Sequence, residues 1–176
     1  MTQWTDRPLR SASLVFFDLE TTGLRPDRGA RICEMAVAGP EGIRFSWQSE
    51  TDPPTDDNVA GQLPQLLSSL DGHVVVGHNL QFDFGFLTYE AERLGRKGID
   101  LQFVDTLGIA RALYPERDDY RLGALRSAFN LPLPGPLHTA EVDTLTTRAL
   151  FWHLVDEGGF ETLADAGVKR LSWNAG

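Results

Sequence analysis

The feature that most constrains the fold is a short apolar run that ends in two carboxylates. Residues 14–17 (Leu-Val-Phe-Phe) are continuously apolar, which is typical of a strand buried on both faces of a sheet. Asp18 and Glu20 follow at positions i and i+2, so their side chains project from the same face of the strand. Active sites of open α/β sheets commonly lie outside the carboxyl ends of the strands. The run therefore predicts a central strand that brings two acids to the edge of a sheet.

The order of the remaining elements predicts an α/β fold. Three opening strands are followed by helix, strand, helix, strand and further helices, which indicates a mixed five-stranded sheet flanked by helices. Besides the first strand, strands are expected at 31–38, 43–48, 73–76 and from 103. Helices are expected at about 57–70, 80–94, 106–113, 120–129 and 139–155. The tail, residues 160–176, is expected to form a short helix at most.

Length, charge and cysteine content limit the class of protein. A chain of 176 residues fits one domain, and we expect a motif-bearing core over about 13–155. The sequence has one cysteine and no apolar run near the roughly 20 residues that span a bilayer, which favours a soluble, cytoplasmic protein. The net charge of −9 has the wrong sign for a protein that coats nucleic acid with a basic surface. It is compatible with a carboxylate site filled by cations.

Three more polar residues stand where they could join such a site. Asp83 lies near the start of a helix, in a phenylalanine-rich segment where an unpaired charge is costly. The alternative is an exposed carboxylate favoured by the helix dipole. His138 and Asp143 bracket the start of the last long helix. Within one continuous helix their side chains would diverge by about 140°, but both can face one cleft if His138 lies in the preceding proline-rich loop.

Three segments that carry these residues resemble, in order, the motifs of one family. They are residues 15–24 (VFFDLETTGL), 76–87 (VGHNLQFDFGFL) and 138–143 (HTAEVD). They are similar to the three exonuclease motifs of the DEDDh (DnaQ-like) class, typified by the proofreading epsilon subunit of bacterial DNA polymerase III. Members of this class are 3′–5′ exonucleases with a ribonuclease H-like fold. The resemblance extends over roughly residues 13–155.

The resemblance implies roles for the polar residues. Two divalent ions, Mg²⁺ or Mn²⁺, would be held by four carboxylates: Asp18, Glu20, Asp83 and Asp143. Oxygen ligands of this kind suit hard cations. His138 would be the general base that takes a proton from the nucleophilic water. The backbone N–H of Thr21 would contact the terminal nucleotide and Leu24 would wedge beside its base, with ordinary turn formation and core packing as the alternative.

Some neighbouring residues are expected to have structural roles. We expect His78 and Asn79 to brace the turn between the fourth strand and its helix, and Asp105 to cap a helix. The sequence also departs from the family at one place. Residues 48–61 contain no match to the H-G-I-[ST]-type element that lies along the 3′-terminal nucleotide in family members. This departure leaves the choice between DNA and RNA open.

Together these observations predict a metal-dependent 3′–5′ exonuclease that acts on single-stranded DNA ends and releases nucleoside 5′-monophosphates. The alternative is the same chemistry on short RNA or tRNA 3′ ends. Thr21 and Thr22 stand where oligoribonucleases typically have Met-Thr, which favours DNA. A non-catalytic nucleic-acid-binding module is disfavoured, because all five motif residues are present. The expected partners are nucleic acid 3′ ends; no membrane is expected, and the short C-terminus does not support stable association with a polymerase.

Overall fold

A mixed six-stranded sheet forms the centre of the protein in the computed structural model, which describes residues 4–95, 99–132, 135 and 138–173. The strand order is β3-β2-β1-β4-β5-β6. The strands are β1 (Leu14–Thr21), β2 (Ile32–Gly39), β3 (Gly42–Gln48), β4 (Val74–Gly77), β5 (Ile99–Asp105) and β6 (Lys169–Trp173). β1 is antiparallel to β2 and parallel to β4, and β4 is parallel to β5. The carboxyl ends of β1, β4 and β5 therefore meet at one edge.

In the part of the chain that the structure describes, five α-helices cover the two faces of this sheet. They are α1 (Asp56–Leu70), α2 (Leu80–Arg93), α3 (Thr106–Leu113), α4 (Leu122–Ala128) and α5 (Ala140–Gly158). Each predicted helix is present within a few residues of its expected bounds. The sequence offers Asp57 or Asn58 as the cap of α1, but the cap is Thr55, whose hydroxyl oxygen accepts the Asn58 N–H at 3.4 Å. Within the described ranges, no helix is long and apolar enough to cross a membrane.

The alternation of side chains along β1 separates two hydrophobic cores. Val15, Phe17 and Leu19 pack on the side of α1 and α2. Leu14 and Phe16 pack on the opposite side, with α3, α4 and α5. Asp18 and Glu20 continue the second set, since successive side chains alternate between faces. Both carboxylates therefore belong to the face that α5 covers.

The prediction for the chain end is wrong, and the sheet has six strands where five were expected. Residues 169–173 form β6, which pairs antiparallel with β5 and places Leu171 opposite Leu101. The preceding turn is held by Leu163 and Ala166, which are buried in the core. Their burial brings the chain back beside β5, where residues 169–173 pair as a strand. The sequence also predicts that Gly95 and Gly98 end α2. Gly95 follows the helix with a φ of +65°, and Gly98 lies outside the described residues.

Gly77 marks the close approach of β4 to β1 at the edge where these strands end. A Cβ atom there would lie 2.2 Å from the Leu80 side chain and 3.1 Å from the Phe17 carbonyl oxygen. Only glycine fits such a contact without displacement of its neighbours. The turn into α2 consequently starts directly beside the acidic end of β1.

Candidate active site

The first two acids lie where β1 extends beyond its parallel neighbour. The β1–β4 ladder ends at Phe16 and Val76, whereas β1 continues to Thr21 against β2. In that antiparallel ladder Asp18 lies opposite Ala36, and the register shifts after Glu20. Such an irregularity bends a strand and re-aims its side chains. The end of β1 therefore projects two carboxylates from a rigid strand into the space beside α5.

Asp83 reaches this strand from α2. Its Oδ1 accepts the backbone N–H of Leu19 at 3.1 Å, and the residue is only 4% exposed. Burial excludes the alternative of a solvent-exposed carboxylate at the start of a helix. The hydrogen bond fixes the start of α2 to β1 between Asp18 and Glu20.

His138 lies outside α5, which allows it to face the same cleft as Asp143. Its φ is +73°, a left-handed conformation in which histidine is among the more tolerant non-glycine residues. The His138 N–H donates to Asp143 Oδ1 at 3.4 Å. The ligand atoms of Glu20, His138 and Asp143 all lie within 4.8 Å of one another. The loop and the first turn of α5 thus bring an imidazole and a carboxylate to Glu20.

Burial raises the pKa of each acid in the site, and the charges of neighbouring acids add to the effect. Burial raises the pKa of Asp18 well above its usual range, and the charges of Asp83, Asp143 and Glu20 raise it further. Burial raises the pKa of Asp83 to about 8, although the Leu19 N–H opposes this shift. The pKa values of Glu20 and Asp143 are raised by burial as well. The ionised site therefore requires positive charge to stabilise it.

The donor set fits divalent magnesium or manganese. Four carboxylates converge on the end of β1, and hard cations such as these prefer oxygen ligands. A bound cation would also remove the repulsion that raises the pKa of Asp18. The residues that could hold metal are Asp18, Glu20, Asp83 and Asp143, and His138 lies near enough to reach the same ion.

Asp105 is a helix cap, as predicted, and it serves two helices. Its Oδ1 accepts the Leu107 N–H at 2.9 Å in the first turn of α3. The same carboxylate accepts the N–H groups of Asn79 at 2.9 Å and Leu80 at 3.1 Å, where α2 begins. Asp105 therefore fixes the helix that carries Asp83 to the end of β5.

His78 braces the turn after β4, as predicted. Its Nε2 lies 2.8 Å from the Tyr120 carbonyl oxygen and its Nδ1 lies 2.9 Å from Thr106 Oγ1. A carbonyl oxygen only accepts, so Nε2 carries a proton. Burial lowers the pKa of His78, which favours the neutral ring. The imidazole thus ties the β4–α2 turn to α3 and to the segment before α4.

Thr21 is the last residue of β1, and Leu24 lies in the loop that follows it. The Thr21 hydroxyl donates to the Gly23 carbonyl oxygen at 2.8 Å, and the Thr22 N–H donates to the Arg31 carbonyl oxygen at 2.9 Å. Leu24 is 82% exposed. Core packing therefore does not account for Leu24, whose apolar side chain is exposed to solvent.

Glu34 is an acid near the site that none of the sequence motifs contains. It lies on β2 directly opposite Glu20, and its charge raises the pKa of Asp18 and Glu20. The available signal was a single glutamate within an otherwise apolar strand, residues 32–38. The signal indicates a place near the site only once the register of β1 and β2 shows that Glu34 lies opposite Glu20.

Comparison with solved structures defines the class of protein to which this fold belongs. The structure of Exonuclease X in complex with 5′-overhanging duplex DNA matches with a TM-score of 0.60 and 20% identity, over 88% of this chain and 99% of that chain. The nuclease domain of 3′hExo, a DEDDh family member bound to rAMP, matches with a TM-score of 0.59 and 12% identity, over 90% of this chain and 96% of that chain. The fold is that of the ribonuclease H-like DEDDh exonucleases.

Sequence comparison then gives the family. Residues 43–151 match the RNase T family of exonucleases. DNA polymerase III of the PolC type from Lacticaseibacillus paracasei is 33% identical over 171 residues, which cover 86% of this chain and 12% of that polymerase. The 3′-5′ exonuclease DinG from Bacillus subtilis is 27% identical over 164 residues, which cover 81% of this chain and 18% of that protein. The chain belongs to this exonuclease family, which confirms the DEDDh resemblance, and spans 12–18% of the length of these relatives.

The region that matches the exonuclease family contains only part of the candidate site. It contains Asp83, His138 and Asp143, whereas Asp18 and Glu20 lie before its first residue. The structure brings both groups to the carboxyl end of β1. The protein thus contains a 3′–5′ exonuclease domain of the DEDDh type.

Proposed function

We propose that the protein is a metal-dependent 3′–5′ exonuclease that removes nucleoside 5′-monophosphates from single-stranded DNA 3′ ends. One observation carries the proposal. Glu20, His138 and Asp143, which come from β1, a loop and α5, place their ligand atoms within 4.8 Å of one another. Asp18 and Asp83 adjoin them. Besides burial, the charges of Asp83, Asp143 and Glu20 raise the pKa of Asp18, and the charge of Glu20 raises the pKa of Asp83. An arrangement of four acids and one imidazole suits hydrolysis of a phosphodiester.

Asp18, Glu20, Asp83 and Asp143 would hold two divalent ions. When bound, such ions activate water, orient the phosphate and stabilise charge on the leaving oxygen. His138 would take the proton from the attacking water, since it is exposed and stands beside the carboxylates. The backbone N–H of His138 donates to Asp143, which connects the loop that carries the imidazole to the first turn of α5.

The loop after β1 would receive the 3′ end. Leu24 would lie against the terminal base, because a solvent-exposed leucine gains from burial against an apolar surface. The backbone of Thr21 would contact the terminal nucleotide. A terminal base pair has to open before its 3′ strand can enter, so single strands should be cleaved faster than blunt duplexes.

The preference for DNA is supported by the relatives and by the loop sequence. Curated relatives include DNA polymerases of the PolC type, and Thr21 and Thr22 differ from the Met-Thr typical of oligoribonucleases. A second candidate, cleavage of RNA 3′ ends, is favoured by one structural neighbour. That neighbour is a 3′-exonuclease described in 3′-end-specific recognition of a histone mRNA stem-loop, with a TM-score of 0.62 and 11% identity.

We also propose that residues 1–176 form a single domain and that the protein is cytoplasmic. The first proposal is supported by one sheet that collects strands from Leu14 to Trp173. The second is supported by Cys33, the sole cysteine, which is free, as is common in a reducing compartment.

The test compares 5′-labelled single-stranded DNA and RNA of equal length, with Mn²⁺, Mg²⁺ or EDTA. We expect a ladder of products shortened from the 3′ end, faster on DNA, and none in EDTA. Asp143→Asn should lose activity by at least about 10³-fold while its melting temperature is preserved, because it removes a ligand charge worth several kcal/mol in the transition state. Cleavage of circular single strands would show an endonuclease and contradict the proposal, and faster cleavage of RNA would favour the second candidate.

A further inference from the structure

Glu34 occupies the middle of a polar row that crosses the sheet beside the active site. On one side it lies opposite Glu20 of β1. On the other side it lies opposite Gln48 of β3, whose Nε2 donates to Glu34 Oε1 at 3.1 Å. One carboxylate oxygen is therefore held by the edge strand, and the second is free to bind another element.

That second oxygen binds the start of α5. Glu34 Oε2 accepts the backbone N–H of Ala140 at 2.9 Å, across 106 positions of sequence. Ala140 is the first residue of α5, and the first N–H groups of a helix have no partner within the helix. Thr139 caps the same turn by accepting the Val142 N–H at 3.4 Å. Glu34 thus supplies from the sheet a contact that the helix cannot supply itself.

The residues on either side of this contact are the proposed general base and a proposed metal ligand. His138 lies two positions before Ala140 and Asp143 lies three positions after it. Both place their side chains within 4.8 Å of Glu20, which is the cross-strand neighbour of Glu34. One hydrogen bond from β2 therefore connects the segment that carries His138 and Asp143 to the strand pair that carries Glu20.

We propose that Glu34 is a positioning residue that sets His138 and Asp143 against the acids of β1 by holding Ala140. The inference rests on the proposed exonuclease function. Groups that orient metal ligands and bases affect the rate steeply, because a misplacement of about 1 Å can lower it by about 100-fold. Glu34 acts as a hydrogen-bond acceptor in this role, so glutamine, which keeps an acceptor oxygen, should replace it.

The kinetic test compares Glu34→Ala with Glu34→Gln on single-stranded DNA at saturating Mn²⁺. We expect Glu34→Ala to lower kcat by about 10- to 100-fold, as is usual for residues that orient metal ligands, with KM within about 3-fold of the wild-type value. Glu34→Gln should recover most of kcat. Glu41→Ala is the matched control, because Glu41 is exposed at the turn between β2 and β3 and its loss changes the net charge equally.

A second measurement is independent of activity. Hydrogen exchange of the Ala140 amide should be slow in the wild type and in Glu34→Gln, and at least about 10-fold faster in Glu34→Ala. The contact borders a groove of about 350 Å³, so water can reach the amide once the acceptor is removed. Faster exchange at Ala140 with an unchanged melting temperature would show that the variant loses a local contact and not the fold.

The outcomes separate the two proposals. If the wild type and Glu41→Ala degrade DNA and Glu34→Ala keeps kcat within 2-fold, the positioning role is overturned. It is also overturned if Glu34→Gln is as impaired as Glu34→Ala and needs more Mn²⁺, since Glu34 would then be a metal ligand. If the wild type is inactive, the exonuclease proposal fails, and amide exchange alone then decides whether Glu34 holds Ala140.

Discussion

Among single residues, Asp18 and Asp83 are those whose ionisation should make the stability of the metal-free protein depend on pH. Burial raises the pKa of both carboxyl groups, that of Asp83 to about 8, whereas an aspartate in the unfolded chain titrates near about 4. A raised carboxyl pKa means that the folded state binds the proton more tightly than the unfolded state. The contribution of Asp83 to stability is then fully present below about pH 4 and is lost as the pH rises from there through about 8. Asp18 contributes in the same direction.

Replacement of Asp83 by asparagine should therefore stabilise the metal-free protein at alkaline pH. The amide oxygen can still accept the Leu19 N–H, but the variant carries no buried charge. In EDTA at pH 9 we expect a higher melting temperature than that of the wild type, by about 2–4 °C for each kcal/mol gained. The difference should shrink at pH 5. Thermal unfolding at the two pH values measures it, and a lower melting temperature of the variant at pH 9 would contradict the assignment.

His138 is best tested by asparagine, because its backbone has a φ of +73° and asparagine tolerates this region better than alanine. Loss of a general base should lower kcat by about 10²–10⁴-fold and leave Mn²⁺ binding unchanged. Calorimetric titration with Mn²⁺ measures metal binding and single-turnover rates measure catalysis, so together they separate the two effects. A loss of Mn²⁺ affinity would instead make His138 a ligand, which its proximity to Glu20 and Asp143 allows.

At the scale of elements, the site depends on how helix starts are fixed to strand ends. Asp105 is the clearest case, since one carboxylate at the end of β5 accepts N–H groups from the first turns of both α2 and α3. α2 carries Asp83, which in turn binds β1 through Leu19. The chain of contacts runs from β5 through α2 to the acids of β1.

Asp105→Ala should accordingly lower both stability and activity. It removes the acceptor of three backbone N–H groups, and loss of a single helix cap typically costs about 0.5–2 kcal/mol. We expect the free energy of unfolding to fall by at least about 2 kcal/mol and kcat to fall with it. Asp105→Asn, which keeps one acceptor oxygen, should lie between. Urea unfolding and the DNA ladder assay measure the two quantities, and an unchanged kcat in Asp105→Ala would show that α2 is held by other contacts.

The elements that could be predicted from the sequence are those with a local signal. Such signals extend over only a few residues of sequence. Examples are the apolar runs of β1 and β4, the cap at Asp105 and the prolines before His138. β6 was missed because its pairing with β5 joins residues about 70 positions apart and little of it is buried. Glu34 was missed for the same kind of reason, since its meaning depends on the β1–β2 register and on a contact with Ala140.

At the scale of the whole molecule, acids from separate layers meet at one edge of the sheet. Asp18 and Glu20 come from the central strand, Asp83 from a helix on one face and Asp143 from a helix on the other. A cation bound among them would link the sheet to both helical layers. Because only the folded chain assembles these ligands, binding of metal should stabilise the entire fold.

Mn²⁺ or Mg²⁺ should therefore raise the melting temperature of the wild-type protein. At a metal concentration about 100 times the Kd, the gain is about 2.7 kcal/mol, which corresponds to roughly 5–10 °C for a domain of this size. Asp18→Asn should melt higher than the wild type in EDTA and respond less to metal. Differential scanning fluorimetry measures both, and the absence of any shift in the wild type at millimolar Mn²⁺ would contradict the assignment of the site.

The order of the elements along the chain has a consequence for synthesis of the protein. Asp18, Glu20 and Asp83 leave the ribosome early, whereas His138 and Asp143 belong to the start of α5, which cannot pack on β1 and β2 until its residues up to Gly158 have emerged. When only the first four strands and two helices have been synthesised, the chain contains Asp18, Glu20 and Asp83 but lacks Asp143 and the proposed general base, His138. On the proposed function, the site is therefore incomplete while residues 1–137 are being made, and it becomes competent only when α5 packs on β1 and β2.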